Sequence, residues 1–261
     1  MQFIKQMLFV TSLLFINTPL FALNKVVICT DTNFWYPFTY VKNQEAVGLH
    51  IDIISKALRN IGLEPIFKPT SWKECLTEAK LGIVDAVATA SYQDDRSAYL
   101  NYPEGAAGDR KSPWRVSQVG YVVITAATNK DDKPNTYKFE GDFTTIPQPV
   151  RVPMHYSVIR DLEKEGLTVK AGKNSLADFK QLIKDRTGSV VDVAEVAEHF
   201  GTQPEFAEKL VIQKRPLNNK SYYLAFSKKG KVSIDEAKTI WQEIARVRED
   251  KKVMAEFLKK Y

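Results

Sequence analysis

The feature that most constrains this chain is an alternation: short β-rich runs and longer amphipathic stretches follow one another for most of its 261 residues. Val26-Val27-Ile28-Cys29 lies inside a β-rich run from Lys25 to Thr30 and reads as a first strand. After a loop over Asp31 to Pro37, Phe38 to Val41 reads as a second short strand. Gly48 then opens a helix. Its apolar face is Leu49, Ile51, Ile53, Ile54, Ala57, Leu58 and Ile61, and it stops at Gly62. Leu63 to Phe67 is a strand, and Pro65 places it at a sheet edge. Ser71 with Glu74 three residues on makes a capping-box start for a helix that ends at Gly82. Val84 to Thr89 is the next strand. Strands that alternate with helices imply βα units and a mainly parallel sheet.

Asn101 to Ser117 is polar, rich in Gly and Pro, and reads as a loop. Gly120 to Ala126 is a strong strand, and a second βα series follows a polar insert at 129–136. That series has strands at Val150 to Val152, Leu167 to Ala171, Val190 to Val193 and Leu210 to Gln213. Helices are expected at Val158 to Glu165, at Leu176 to Lys184 with Ser175 as cap, and up to Phe200. Tyr222 to Phe226 is a strand, and the rest of the chain is helical. Two similar series joined by two extended segments describe a two-lobed α/β protein. Ligands of such sheets sit beyond the carboxyl ends of the strands, so the cleft between lobes is the expected site.

The start of the chain departs from this pattern. Lys5 is the only charge before Lys25, Met7 to Ile16 is apolar apart from Thr11 and Ser12, and Leu20-Phe21-Ala22 closes the segment. This is the layout of a secretory signal peptide over residues 1–22, cleaved after Ala22. The apolar run is too short for a membrane span, which takes about twenty residues. No Cys follows it, so the mature chain from Leu23 is expected to be free of a lipid anchor and periplasmic. The formal charge of +6 is spread along the chain in mixed sign, which points to a solvated surface and away from nucleic acid. Cys29 and Cys75 are the two cysteines; export permits a bridge between them, and both also suit small core positions. The histidines, His50, His155 and His199, are far apart, and no metal or cofactor is expected.

Several short pieces, in order, carry a resemblance. They are Trp35-Tyr36-Pro37-Phe38, Gly48-Leu49-His50-Ile51-Asp52-Ile53, Trp72 at its helix start, Gly82-Ile83-Val84-Asp85-Ala86, and Ser91 to Arg96. The chain resembles the extracellular solute-binding proteins of family 3, the polar-amino-acid type that feeds ABC importers. The resemblance implies a type II periplasmic-binding fold with a ligand cleft between lobes. It places lobe 1 at 23–118 and 222–261 and lobe 2 at 119–221.

The same resemblance assigns the site. Arg96 stands where relatives hold the ligand's carboxylate, a task suited to the paired donors of a guanidinium. Thr89 and Ser91 fall where relatives supply further donors to it, and Gln93 replaces a common Thr. Trp35 and Trp72 align with aromatic positions that flank the ligand side chain, where ring faces also attract a cation. Asp31 and Thr32 end the first strand, where a carboxylate either accepts from a ligand amine or caps the loop. Asp52 and Asp85 read as structural. In the second lobe Asp192, with Glu195 in reserve, is the candidate acid for the ligand's amino group. Met154-His155-Tyr156-Ser157 stands where relatives have Gly-Thr, leaving Ser157 to grip the carboxylate and His155 and Tyr156 to reshape the pocket.

The function implied is capture of a small polar ligand, an amino acid or a derivative, for an ABC permease, by a monomer that closes by hinge motion. No catalytic role is assigned. Two other readings share the fold: a dehydratase-like cleft enzyme, which needs a general acid in the cleft, and a sensing or scavenging module without an importer.

Overall fold

Strand β1 (Lys25–Asp31) forms because Val26, Ile28 and Cys29 have an interior to enter. In this computed structural model, which describes residues 24–108 and 112–261, it is one strand of a ten-stranded sheet. The expected leader, residues 1–22, lies outside the described residues.

The second expected strand is instead a small hairpin, β2 (Tyr40–Lys42) against β3 (Glu45–Val47). Asn43 and Gln44 turn it, both with left-handed backbone, as a tight two-residue hairpin requires. Phe38 lies before it in a turn, where its carbonyl and that of Pro37 accept the first amides of α1 (Leu49–Asn60). Gly48 makes that approach possible, because a Cβ there would stand 2.3 Å from the Phe38 carbonyl oxygen. Strand β4 (Glu64–Thr70) pairs in parallel with β1 at the sheet edge, as Pro65 requires. Helix α2 (Trp72–Leu81) has the capping box read from Ser71 and Glu74 and ends at left-handed Gly82. Its Cys75 is disulfide-bonded to Cys29 of β1, and both are fully buried. Strand β5 (Ala86–Ser91), also parallel to β1, is buried throughout. The short α3 (Asp94–Ser97) and β6 (Leu100–Asn101) follow.

Two ten-residue strands connect the halves. They are β7 (Ser117–Ala126) and β12 (Asn218–Ser227), each longer than its apolar run predicts. Their extra residues pair with each other, from Asn218 opposite Tyr121 to Tyr222 opposite Ser117. Between them lies the second half: β8 (Val150–Pro153), α4 (Val158–Lys164), β9 (Val169–Gly172), α5 (Ser175–Asp185), β10 (Ser189–Val193), α6 (Ala194–Gly201) and β11 (Leu210–Ile212). The cap of α5 is Asn174, which accepts the Ala177 amide, while Ser175 is already helical. An amide oxygen one residue earlier reaches the exposed N–H groups that the hydroxyl was expected to cap. The sheet order β4-β1-β5-β12-β7-β10-β8-β9 joins two βα series through the two long strands, the two-lobed type II arrangement. Helices α7 (Ile234–Glu249) and α8 (Lys251–Leu258) return to the first lobe, where α7 packs on α1 and Trp241 donates to the Leu224 carbonyl at 2.7 Å. Among the described residues, no helix is long and apolar enough to cross a membrane, and no His, Cys, Asp and Glu cluster could hold a metal.

Candidate ligand-binding cleft

Strand β5 delivers the first part of the site at its carboxyl end. Thr89 takes left-handed backbone, φ 62°, which is an outlier for a β-branched residue. The register of β12 slips beside it, between Tyr223 and Ala225. Such strain persists only where the surroundings impose it, and it often marks function. Ser91 ends the strand, and Arg96 follows on α3. Arg96 is only 5% exposed, with Nη1 3.2 Å from both the carbonyl and the hydroxyl of Ser91. Its guanidinium lies 5.2 Å over the Trp72 ring. Trp72 is the first residue of α2, so the capping box of that helix also fixes this ring. Trp35 is held in a tight turn against Phe38, His50 and Tyr222, the last at 4.7 Å between ring centroids.

The second lobe reaches the same place through one turn. His155 is left-handed, φ 66°, and its carbonyl accepts from Arg96 Nη2 at 2.9 Å. Ser157 Oγ lies 2.8 Å from Ser91 Oγ and accepts from Lys220 Nζ at 3.1 Å. Lys220 is itself paired with Asp161 at 2.6 Å; burial lowers its pKa and Asp161 opposes that. Tyr156 OH accepts from Asn33 at 2.5 Å. Outside the cavity, Arg160 of α4 holds Asp95 of α3, and His199 of α6 packs on Phe34 and Tyr36. The lobes therefore touch on both sides of the cleft.

These groups border a pocket of about 410 Å³, a figure that includes space open to solvent. Trp35, Trp72, Thr89, Ser91, Arg96 and Ser157 all line it, together with Asp31. Asp192 does not. It lies on fully buried β10, where its Oδ1 accepts the Val193 amide at 2.7 Å and Oδ2 has no partner. Asp192 is fully buried, and Glu195 does not line the cavity either. Burial pushes Asp192 up to about 6. It likewise pushes Asp31 up to about 6, against the backbone N–H groups of Asn33, Trp72 and Thr32.

Sequence reasoning passed over Thr39, Tyr121 and Tyr222, and valued Tyr156 only for its bulk; all four line the cavity. The Tyr121 and Tyr222 hydroxyls meet at 2.6 Å. The available signal was their place: each is an aromatic residue on one of the two strands that connect the halves.

A strand-end arginine among aromatic walls, in a cleft between two βα lobes, is the arrangement the sequence motifs implied. Residues 26–108 match the family described as bacterial extracellular solute-binding proteins, family 3. The chain resembles that family. No curated protein matches the sequence. Among solved structures, a histidine kinase sensor domain with similarity to periplasmic binding proteins superposes with TM-score 0.72 at 13% identity, covering 90% of this chain and 96% of that one. A mutant of ArgBP from T. maritima gives 0.68 at 17%, covering 91% and 95%. The GluR0 ligand-binding core from Nostoc punctiforme, in complex with L-glutamate, gives 0.68 at 16%, covering 90% and 98%. These similarities establish the two-lobed type II fold; the cleft residues carry the argument from here.

Proposed function

We propose that this chain is an exported periplasmic binding protein that closes over a small amino-acid-like zwitterion and delivers it to an ABC permease. The observation that carries the reading is Arg96, buried within the cleft beside Ser91 and Trp72. A guanidinium has five N–H donors, and the contacts to Ser91 and His155 occupy at most three of them. The rest suit a ligand carboxylate. Similar structures that bind arginine, glutamine or L-glutamate support a zwitterionic ligand. A binding protein of an amino acid ABC transporter among them supports the importer. The sensor-domain neighbour supports a second reading, in which the same closure signals to a receptor. The guanidinium, hydroxyls, aromatic walls and Asp31 carboxyl that line the cleft are all groups that bind a zwitterion, and we assign them that role.

A thermal-shift screen of the protein against L-amino acids and their derivatives tests this. A ligand at about 100 times its Kd adds about 2.7 kcal/mol to the folded state. The expected result is a clear shift with at least one zwitterion that disappears in Arg96→Ala. A shift that survives Arg96→Ala removes the carboxylate role, and silence across the whole screen removes the ligand class.

A further inference from the structure

The walls of the cavity define the cationic end of its ligand more narrowly. A primary ammonium carries three N–H donors, and each needs an acceptor once water is gone. The cavity has few to offer, and the Thr39 hydroxyl is one that has no partner in the protein. Ser91 and Ser157 hydroxyls are engaged with each other, Arg96 and Lys220. The Tyr121 and Tyr222 phenols are bonded to each other, and the Tyr156 phenol already accepts from Asn33. Among the described residues Asp31 is the only carboxyl that lines the space, and one of its oxygens accepts the Asn33 amide at 3.0 Å. Asp192 is fully buried and does not line the space.

What the cavity does offer is aromatic surface. Trp72 is committed to Arg96, which leaves Trp35, Tyr121, Tyr156 and Tyr222 around the remaining space. Each N-methyl group removes one N–H donor and spreads charge over carbon; a quaternary ammonium donates no hydrogen bonds and is held by ring faces with one nearby carboxylate. We infer that the ligand is a small carboxylate bearing an N-methylated, preferably quaternary, ammonium. Its carboxylate meets Arg96 and its cation sits among Trp35, Tyr156, Tyr222 and Asp31. The inference rests on the solute-binding reading and narrows it. Burial raises the pKa of Asp31, and a cation beside it would favour the ionised carboxylate.

Calorimetric titration with two matched pairs tests the inference: glycine against glycine betaine, and proline against proline betaine. Within each pair only N-methylation changes. The methylated member is expected to bind at least about tenfold more tightly, and Tyr156→Leu to cost it about tenfold or more. Tyr156→Phe keeps the ring and is expected to bind glycine betaine more tightly than Tyr156→Leu, which guards against a folding artefact. Equal or tighter binding of the unmethylated members, or binding of ordinary L-amino acids alone, overturns the methylation inference and leaves the solute-binding reading intact. No binding by either pair or by any L-amino acid overturns both.

Discussion

The two lobes reach the cavity in different ways. The first lobe brings residues fixed by regular structure: Thr89 and Ser91 at a strand end, Arg96 on a short helix, Trp72 on a capped helix, Trp35 packed on His50. A disulfide ties β1 to α2 beneath them. The second lobe brings Tyr156 and Ser157 on a turn whose His155 holds left-handed backbone, and keeps its acid, Asp192, inside. One lobe is a rigid floor and the other closes with a turn. On the proposed reading the floor supplies the contacts to a carboxylate, and the turn shapes the rest of the space.

Removing the tie breaks this comparison with the largest expected effect. Cys29 and Cys75 are 46 residues apart, and a cross-link over such a loop restricts the unfolded chain by about 4 kcal/mol at 25 °C. Cys29→Ala with Cys75→Ala should therefore lower first-lobe stability by about that amount in urea unfolding. Amide exchange on β8, β9 and β10 should change far less than on β1, β4 and β5. Equal loss of protection in both lobes would show that the floor is not separately held.

The second lobe has its own weak point. Asp178 is 3% exposed at the start of α5, and its pKa is pushed up to about 7 by burial, then by the charge of Asp192, while Arg151 pulls it down. Its folded pKa lies above the ordinary 3.8. The favourable contribution is therefore complete below that ordinary value and is lost as pH rises through 7. Asp178→Asn should raise the Tm at pH 8, by about 2 kcal/mol in equivalent stability, and give no gain at pH 4. The window to scan runs from pH 4 to pH 8, by calorimetry. A variant that gains equally at both ends would mean that Asn improves packing and that no repulsion is stored there.

The difference between the lobes also explains what could be read from the sequence. Capping residues, a glycine that only a close turn demands, and an arginine after a strand are local signals. Ser71, Glu74, Gly48, Gly82 and Arg96 could be found without knowing what they touch. Even so, the hairpin of β2 and β3 was hidden, because Asn43 and Gln44 supply the turn without a glycine. The cleft side of the second lobe is set by strand facing and by contacts far apart in sequence. Asp192, read from its place near a strand end, is fully buried and does not line the cavity. Tyr121 and Tyr222 stood out only as strand residues; the pairing of β7 with β12 brings their hydroxyls together at the cavity. Whether Cys29 and Cys75 were bridged or merely buried turned on the fit of α2 against β1, a tertiary fact.

The smallest expected effect lies where the lobes meet in solvent. Arg160 of the second lobe grips Asp95 of the first with two contacts, at 2.9 and 2.6 Å, and both side chains are about half exposed. Exposed pairs are worth about 0.2–1 kcal/mol and weaken as salt screens them. Because this pair exists only when the lobes are together, its loss should act on closure and spare the folding of either lobe. Asp95→Ala should then weaken ligand binding by no more than about fivefold, the affinity falling with the population of the closed form. The Tm of the empty protein should barely move. Asp95→Ala combined with Arg160→Ala should cost no more than either change alone, and at 1 M salt the penalty should fade. A loss that persists in high salt would assign Asp95 to the floor, with a task in holding α3 and Arg96. A loss confined to low salt leaves it as a latch, and the division between a preset floor and a closing turn then extends to the rim of the cleft.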